Sequence, residues 1–146
     1  AEGANQKNQG EGNMTLKELS QLYYLNREIE RDQERLEDLR ARASSPGTPS
    51  CDCAKAQGFE NRLERYIAEI VDLEAIIQAK LTQCLHERNR LERYIAAIPD
   101  SLTRQIFQLR FVECLSWVRI AYQVGGGNTE AGVKMTCYRY IKKTGG

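Results

Sequence analysis

QVGGGNTEAGV, residues 123–133, sets three consecutive glycines directly before Asn128 and Thr129. Such a run either cradles a phosphate or turns the chain between two helices. A phosphate loop needs Gly-x4-Gly-Lys-Ser/Thr after a strand, and the dinucleotide fingerprint needs G-x-G-x-x-G after one. Here the glycines follow the helical pattern SWVRIAYQV, and no Lys-Ser/Thr pair or G-x-G-x-x-G match accompanies them. They read as a turn, because left-handed backbone angles cost glycine little.

Working outward, Ser116 is a good N-cap for the helix before the turn, with Trp117, Ile120, Ala121 and Val124 expected to face inward. Asn128 or Thr129 caps the helix after it, whose inner face is Val133, Cys137, Tyr140 and Ile141. Upstream, the ring of Pro99 blocks continuation of a long helix, and Asp100 or Ser101 caps LTRQIFQLRFV, residues 102–112. That helix is expected to bury Leu102, Ile106, Leu109 and Phe111 or Val112, leaving Arg104 and Arg110 outside, before a turn at residues 113–115. Three short helices with a tight turn between the last two describe a helix-turn-helix, whose final helix enters a DNA major groove.

The front of the chain reads differently. Residues 1–13 hold no branched apolar or aromatic side chain and are expected to form a disordered tail, with Met14 opening a stretch that looks like a natural start. From Thr15 to Ala43, Leu22, Leu25, Ile29, Leu36 and Leu39 share one helical face, and Thr15 with Glu18 fits a capping box. Prolines, glycines and serines make residues 44–58 a loop. A second helix runs from about Phe59 to Ile98 and carries an echo, RLERYIAEI at 62–70 returning as RLERYIAAI at 90–98. The offset of 28 is four heptads, so both copies present the same face. The column Leu63, Ile70, Ile77, Cys84, Leu91, Ile98 is apolar throughout, while Ile67, Glu74, Leu81, Arg88, Ile95 is mixed. The expected fold is all-α: a long antiparallel, coiled-coil-like helical hairpin over 14–98, then a three-helix helix-turn-helix domain over 99–146. The first helix is too short to cover the whole stripe, which leaves the remainder for a second chain or the terminal domain; a hairpin that self-associates as a homodimer is the favoured expectation, and a purely intramolecular hairpin the alternative.

Charge is unevenly spread. Residues 1–98 hold 14 Lys/Arg against 17 Asp/Glu, a net −3, whereas residues 99–146 hold 7 against 3, a net +4. A polyanion would therefore be met at the carboxy-terminal end. No segment approaches the ~18 apolar residues of a membrane span and no charged-then-apolar leader opens the chain, so a cytoplasmic protein is expected. The five cysteines are odd in number; Cys51 and Cys53 sit close-set in the loop without a second Cys or His pair at zinc spacing. His86, the single histidine, lacks neighbouring ligands. No metal, no cofactor and no catalytic residue is expected, for want of a nucleophile–base pair or ligand cluster at usable spacing.

IPDSLTRQIFQLRFVECLSWVRIAYQVGGGNTEAGVKMTCYRYIKK, residues 98–143, resembles region four of bacterial sigma factors. It is similar, closer still, to the small sigma-like regulators of phages and prophages of Gram-positive bacteria. In those proteins a helical front half precedes the same L-S-W-x-x-I-A, glycine turn and N-T opening. The resemblance implies a transcriptional regulator that binds double-stranded DNA, with RNA polymerase as a further partner. Arg119 stands where the family usually carries Glu or Gln, Gly132 lies in the first turn of the last helix, and Met135 and Thr136 occupy positions that are often basic.

Helical geometry projects Thr129, Glu130, Lys134, Met135 and Tyr138 away from the core face as candidates for base-edge contacts. Arg104, Arg119, Arg139, Lys142 and Lys143 suit phosphates, where charge without direction is enough. Trp117 and Tyr140 read as core, and Tyr23, Tyr24, Tyr66 and Tyr94 as helix-packing residues. Two other functions fit the same pattern: a phage DNA-packaging protein of the small-terminase type, and a helical interaction module without DNA affinity.

Overall fold

The computed structural model describes residues 12–45 and 53–145, with side chains from residue 58 onward in the second segment. Every regular element among these residues is helical, so the chain is all-α as expected. The order is α1 (Leu16–Leu19), α2 (Gln21–Ser44), α3 (Cys53–Ala96), α4 (Ser101–Phe107), a π-helical turn (Gln108–Val112), α5 (Trp117–Val124) and α6 (Glu130–Lys143). Two compact units result: Tyr24–Leu85, and a second in which the residues before Tyr24 join His86 and all that follows. The division does not fall at Pro99. The tail expectation lies almost wholly outside the described residues, as do Cys51 and the Cys53 side chain.

Within Tyr24–Leu85, Leu25, Ile29, Leu36 and Leu39 of α2 are buried with Leu73 and Ile77 of α3, and Tyr66, Ile70 and Cys84 pack against them. Full burial of each aliphatic side chain is worth about 1.5–3 kcal/mol, so this apolar seam dominates the unit. Polar pairs fix its register. Cys84 Sγ donates to Asn26 Oδ1 at 3.4 Å, Lys80 pairs with Asp32 and with Glu28 at 3.5 Å, and Arg40 pairs with Glu74 at 2.7 Å. Residue numbers rise along α2 as they fall along α3, so the two helices run in opposite directions. The Asp32 carboxylate, by accepting a hydrogen bond, raises the Lys80 pKa, while the exposed Arg40–Glu74 pair contributes at most about 1 kcal/mol.

α3 begins at Cys53, inside the expected loop. Ala, Lys and Gln between 53 and 57 are strong helix formers, and the single Gly58 costs only ~1 kcal/mol, too little to stop propagation from the long helix that follows. The expected first helix is also divided. α1 carries the anticipated capping box, Thr15 and Glu18 exchanging hydrogen bonds, but ends at Ser20, whose hydroxyl donates to the Leu16 carbonyl at 2.8 Å. A hydroxyl bonding back along the helix competes with the backbone ladder.

The other unit is built around Phe107. Its ring is fully buried and meets Phe111 at 5.2 Å, Tyr140 at 5.4 Å and Tyr94 at 6.3 Å between centroids. Leu19, Leu91, Ile98, Ile106, Ile120, Val133 and Cys137 complete the fully buried set. Asp100 caps α4, its Oδ2 accepting from the Thr103 N–H at 2.9 Å and hydroxyl at 2.6 Å. These bonds, the hydroxyl's first, hold the Asp100 carboxyl below the usual carboxylate range.

The helix expected to continue through Val112 instead widens after Phe107. Glu113 N–H reaches the Gln108 carbonyl at 3.1 Å, a five-residue step. The wider turn shifts the inward register, so Phe111 and Val112 are both buried while Leu109 is only half-buried; Leu102, in the first turn of α4, is half-buried as well. Cys114 then takes a left-handed backbone (φ 58°), which reverses the chain before Ser116.

Candidate nucleic-acid interface

The turn quoted at the outset needs its glycines for conformation. Gly125 (φ 63°, ψ −149°), Gly126 (φ 63°) and Gly127 (φ 77°) are all positive, and the first lies where only glycine is comfortable. Added Cβ atoms would meet open space or ordinary contacts there, so backbone angle and not crowding sets the requirement. Asn128 closes the turn, its backbone and side-chain N–H groups donating to the Gly125 carbonyl at 3.1 and 2.8 Å. Thr129 then caps α6, its hydroxyl accepting from the Gly132 N–H at 3.0 Å. An added Cβ at Gly132 would stand 3.1 Å from that hydroxyl, so the glycine leaves room for the cap.

α6 packs on both α4 and α5. Val133 and Cys137 are fully buried and Ile141 nearly so. Burial pushes the Cys137 thiol up to about 12, so it stays protonated and acts as a small apolar group. The other side of α6 is open. Met135 is 48% and Tyr138 37% exposed, and Thr129, Glu130, Lys134, Arg139, Lys142 and Lys143 are exposed with them. Glu130 in the first turn and the two lysines in the last complement the helix dipole.

Of the residues expected at phosphates, Arg119 lies exposed in the first turn of α5. Arg104 does not lie outside. It is half-buried, and its Nη1 donates to the carbonyls of Ile98 at 2.8 Å and Pro99 at 3.3 Å. The carbonyls orphaned where α3 ends explain the difference, since a nearby guanidinium satisfies them. Arg110 and Trp117 also depart from their expected settings, both being half-buried. Trp117 is only half-buried, with the Arg110 guanidinium 4.5 Å above its ring and Tyr138 at 6.0 Å. Arg110 Nη1 donates to the Leu115 carbonyl at 2.9 Å, tying down the left-handed bend. A planar cation stacked on indole turns an expected core residue into the support for Tyr138 at the edge of the open face. The Trp–Arg pair is not legible in the sequence, because the π-turn that brings it together has no signature in composition.

Away from that face, a cleft of about 780 Å³ is lined by Met14, Glu18, Arg90, Arg93, Tyr94 and Tyr140 among others. Glu18 accepts from Thr15 N–H at 2.8 Å and Arg90 at 3.0 Å, and these bonds, Thr15 first, hold its carboxyl low. Burial, and secondarily Tyr94, raises the Tyr140 pKa, and the Tyr94 hydroxyl is buried without a hydrogen-bond partner. Among the described residues no group of His, Cys, Asp and Glu could hold a metal ion, and no helix is long and apolar enough to cross a membrane.

No family model matches the chain, and neither a curated protein nor a solved structure matches it.

Proposed function

We propose that this chain is a sequence-specific DNA-binding regulator of transcription, in which α5, the glycine turn and α6 act as a helix-turn-helix. The observation that carries the reading is the division of α6: one face sealed by Val133, Cys137 and Ile141, the other open along a helix of about 21 Å. A major groove about 12 Å wide admits such a helix. At its leading end Thr129, Glu130 and Lys134 carry donors and an acceptor for base edges, while Met135 and Tyr138 offer apolar contact. Arg119, Arg139, Lys142 and Lys143 supply phosphate contacts, in keeping with the net +4 of residues 99–146. Arg104 is left out of that set because the end of α3 occupies it.

The resemblance of residues 98–143 to sigma region four supports the same reading and extends it to a contact with RNA polymerase. α2 and α3 serve as a helical hairpin that self-associates, which would double the phosphates neutralised and impose a half-site spacing. Selection from a pool of random duplex DNA tests the proposal. A common enriched sequence is expected, and a pool left unenriched after repeated rounds would reject it.

A further inference from the structure

In the Tyr24–Leu85 unit, α3 carries more apolar surface than α2 covers. Ile67 is 50%, Val71 58%, Leu81 42% and Leu85 58% exposed. At 3.6 residues per turn these four fall within about 80° of one another, beside the face that buries Leu73 and Ile77. Their spacing is symmetric about position 76. Ile67 and Leu85 lie equally far on either side, as do Val71 and Leu81, and the two polar positions inside the stripe, Glu74 and Gln78, obey the same rule.

A stripe with that symmetry is complementary to itself. If two copies of α3 lie antiparallel with a twofold axis level with residue 76, Ile67 of one meets Leu85 of the other, and Val71 meets Leu81. Both contacts occur twice, as an isologous interface requires. At the centre a carboxylate meets an amide instead of its own like charge. Glu74 Oε1 already accepts from Arg40 at 2.7 Å, and its second oxygen is placed to accept from a Gln78 side-chain N–H. Ala68, Ala75 and Thr82 flank the stripe at heptad spacing, and their small side chains permit an interaxial distance near the ~8 Å lower limit. A parallel pairing would instead set Glu74 of one copy against Glu74 of the other.

We propose that this stripe binds a second copy of the same chain, antiparallel, in the register that pairs position 71 with 81. The inference rests on the self-association within the functional reading above and not on its DNA contact. Doubled by symmetry, four half-exposed aliphatic side chains and their small neighbours cover on the order of 1,000 Å², the lower bound for a specific interface. A reversible, concentration-dependent dimer is the form it takes.

Mass in solution, measured over a concentration series, tests partner and register together. The unaltered chain should pass from monomer to dimer, and V71K alone and L81E alone should remain monomeric with unchanged helical circular dichroism. An equimolar mixture of the two should recover the dimer. The register joins the introduced cation to the introduced anion once per dimer and leaves the other 71–81 contact native. The milder V71A and L85A should each raise the dimer dissociation constant about tenfold. An unaltered chain that is monomeric throughout, a mixture that fails to recover, or an unchanged constant for the alanine variants would overturn the inference. Duplex binding measured on the same samples is a separate readout, so failure of the dimer and failure of the DNA reading are told apart.

Discussion

A nine-residue phrase, repeated with one letter changed, occupies two settings in this chain. In RLERYIAEI, Leu63 and Ile70 are half-buried and Ile67 is 50% exposed; in RLERYIAAI, Leu91 is fully buried, Ile98 1% and Ile95 5% exposed. The first copy is helical throughout and the second through its seventh residue, Ala96, where α3 ends ahead of Pro99. What differs is the company. The first copy has only α2 beside it within its unit, and the second belongs with α1, α4 and α6, where Tyr94 reaches Phe107. Local sequence selects the helix, and the number of neighbouring elements selects how much of it is sealed.

The sharpest way to break this comparison is to truncate the same residue in each copy. Ile95→Ala should cost about 2–5 kcal/mol, as expected of a buried aliphatic side chain that leaves a cavity. Ile67→Ala should cost less than about 1 kcal/mol in the monomer, because its site is already half in water. Urea unfolding of both variants reads the difference, and equal losses would show that burial does not separate the copies. A smaller effect is expected at the interhelical turn. Gly125→Ala forces a side chain into a backbone region reserved for glycine, at about 1–3 kcal/mol, whereas Gly58→Ala within α3 should be neutral or stabilising. If thermal melts of the two shifted alike, the strain at the turn would be disproved.

The smallest effect concerns pH. The Asp100 carboxyl is held below its usual range, first by the Thr103 hydroxyl and then by the Thr103 N–H. A folded-state pKa below the unfolded value gives stability that is present above about pH 4 and is lost as pH falls through the lowered value. Asp100→Asn keeps a capping oxygen but removes the charge. The variant should melt at a lower temperature than the native chain at neutral pH and lose less between about pH 5 and pH 3. Parallel slopes would assign the acid sensitivity elsewhere.

Much of the helical skeleton is legible in the sequence. Leu22, Leu25, Ile29, Leu36 and Leu39 are all buried, because an amphipathic period needs no tertiary knowledge. Thr15, Asp100, Ser116 and Thr129 each cap the helix they precede, because a side-chain oxygen three residues ahead of an N–H is a local device. Features that depend on a partner distant in sequence were not legible. The π-turn at 108–112 follows from sealing Phe107, Phe111 and Val112 together, which no single-helix period describes. The settings of long side chains are illegible for the same reason: Arg104 and Arg110 find carbonyls and a ring that only the folded bends bring within reach. On α6 the open face was legible from spacing, but the Trp117–Tyr138 contact beside it was not.

The central claim is that the open face of α6 holds duplex DNA. The most direct measurement is the salt dependence of duplex affinity for the native chain and for the double variant Lys134→Glu, Arg139→Glu, both substituted at exposed positions. Tight binding is expected, with a logarithmic slope against salt that flattens by about one in the variant as the Arg139 phosphate contact is lost, and affinity reduced at least tenfold. Equal affinity and equal slope for the two proteins would contradict the claim.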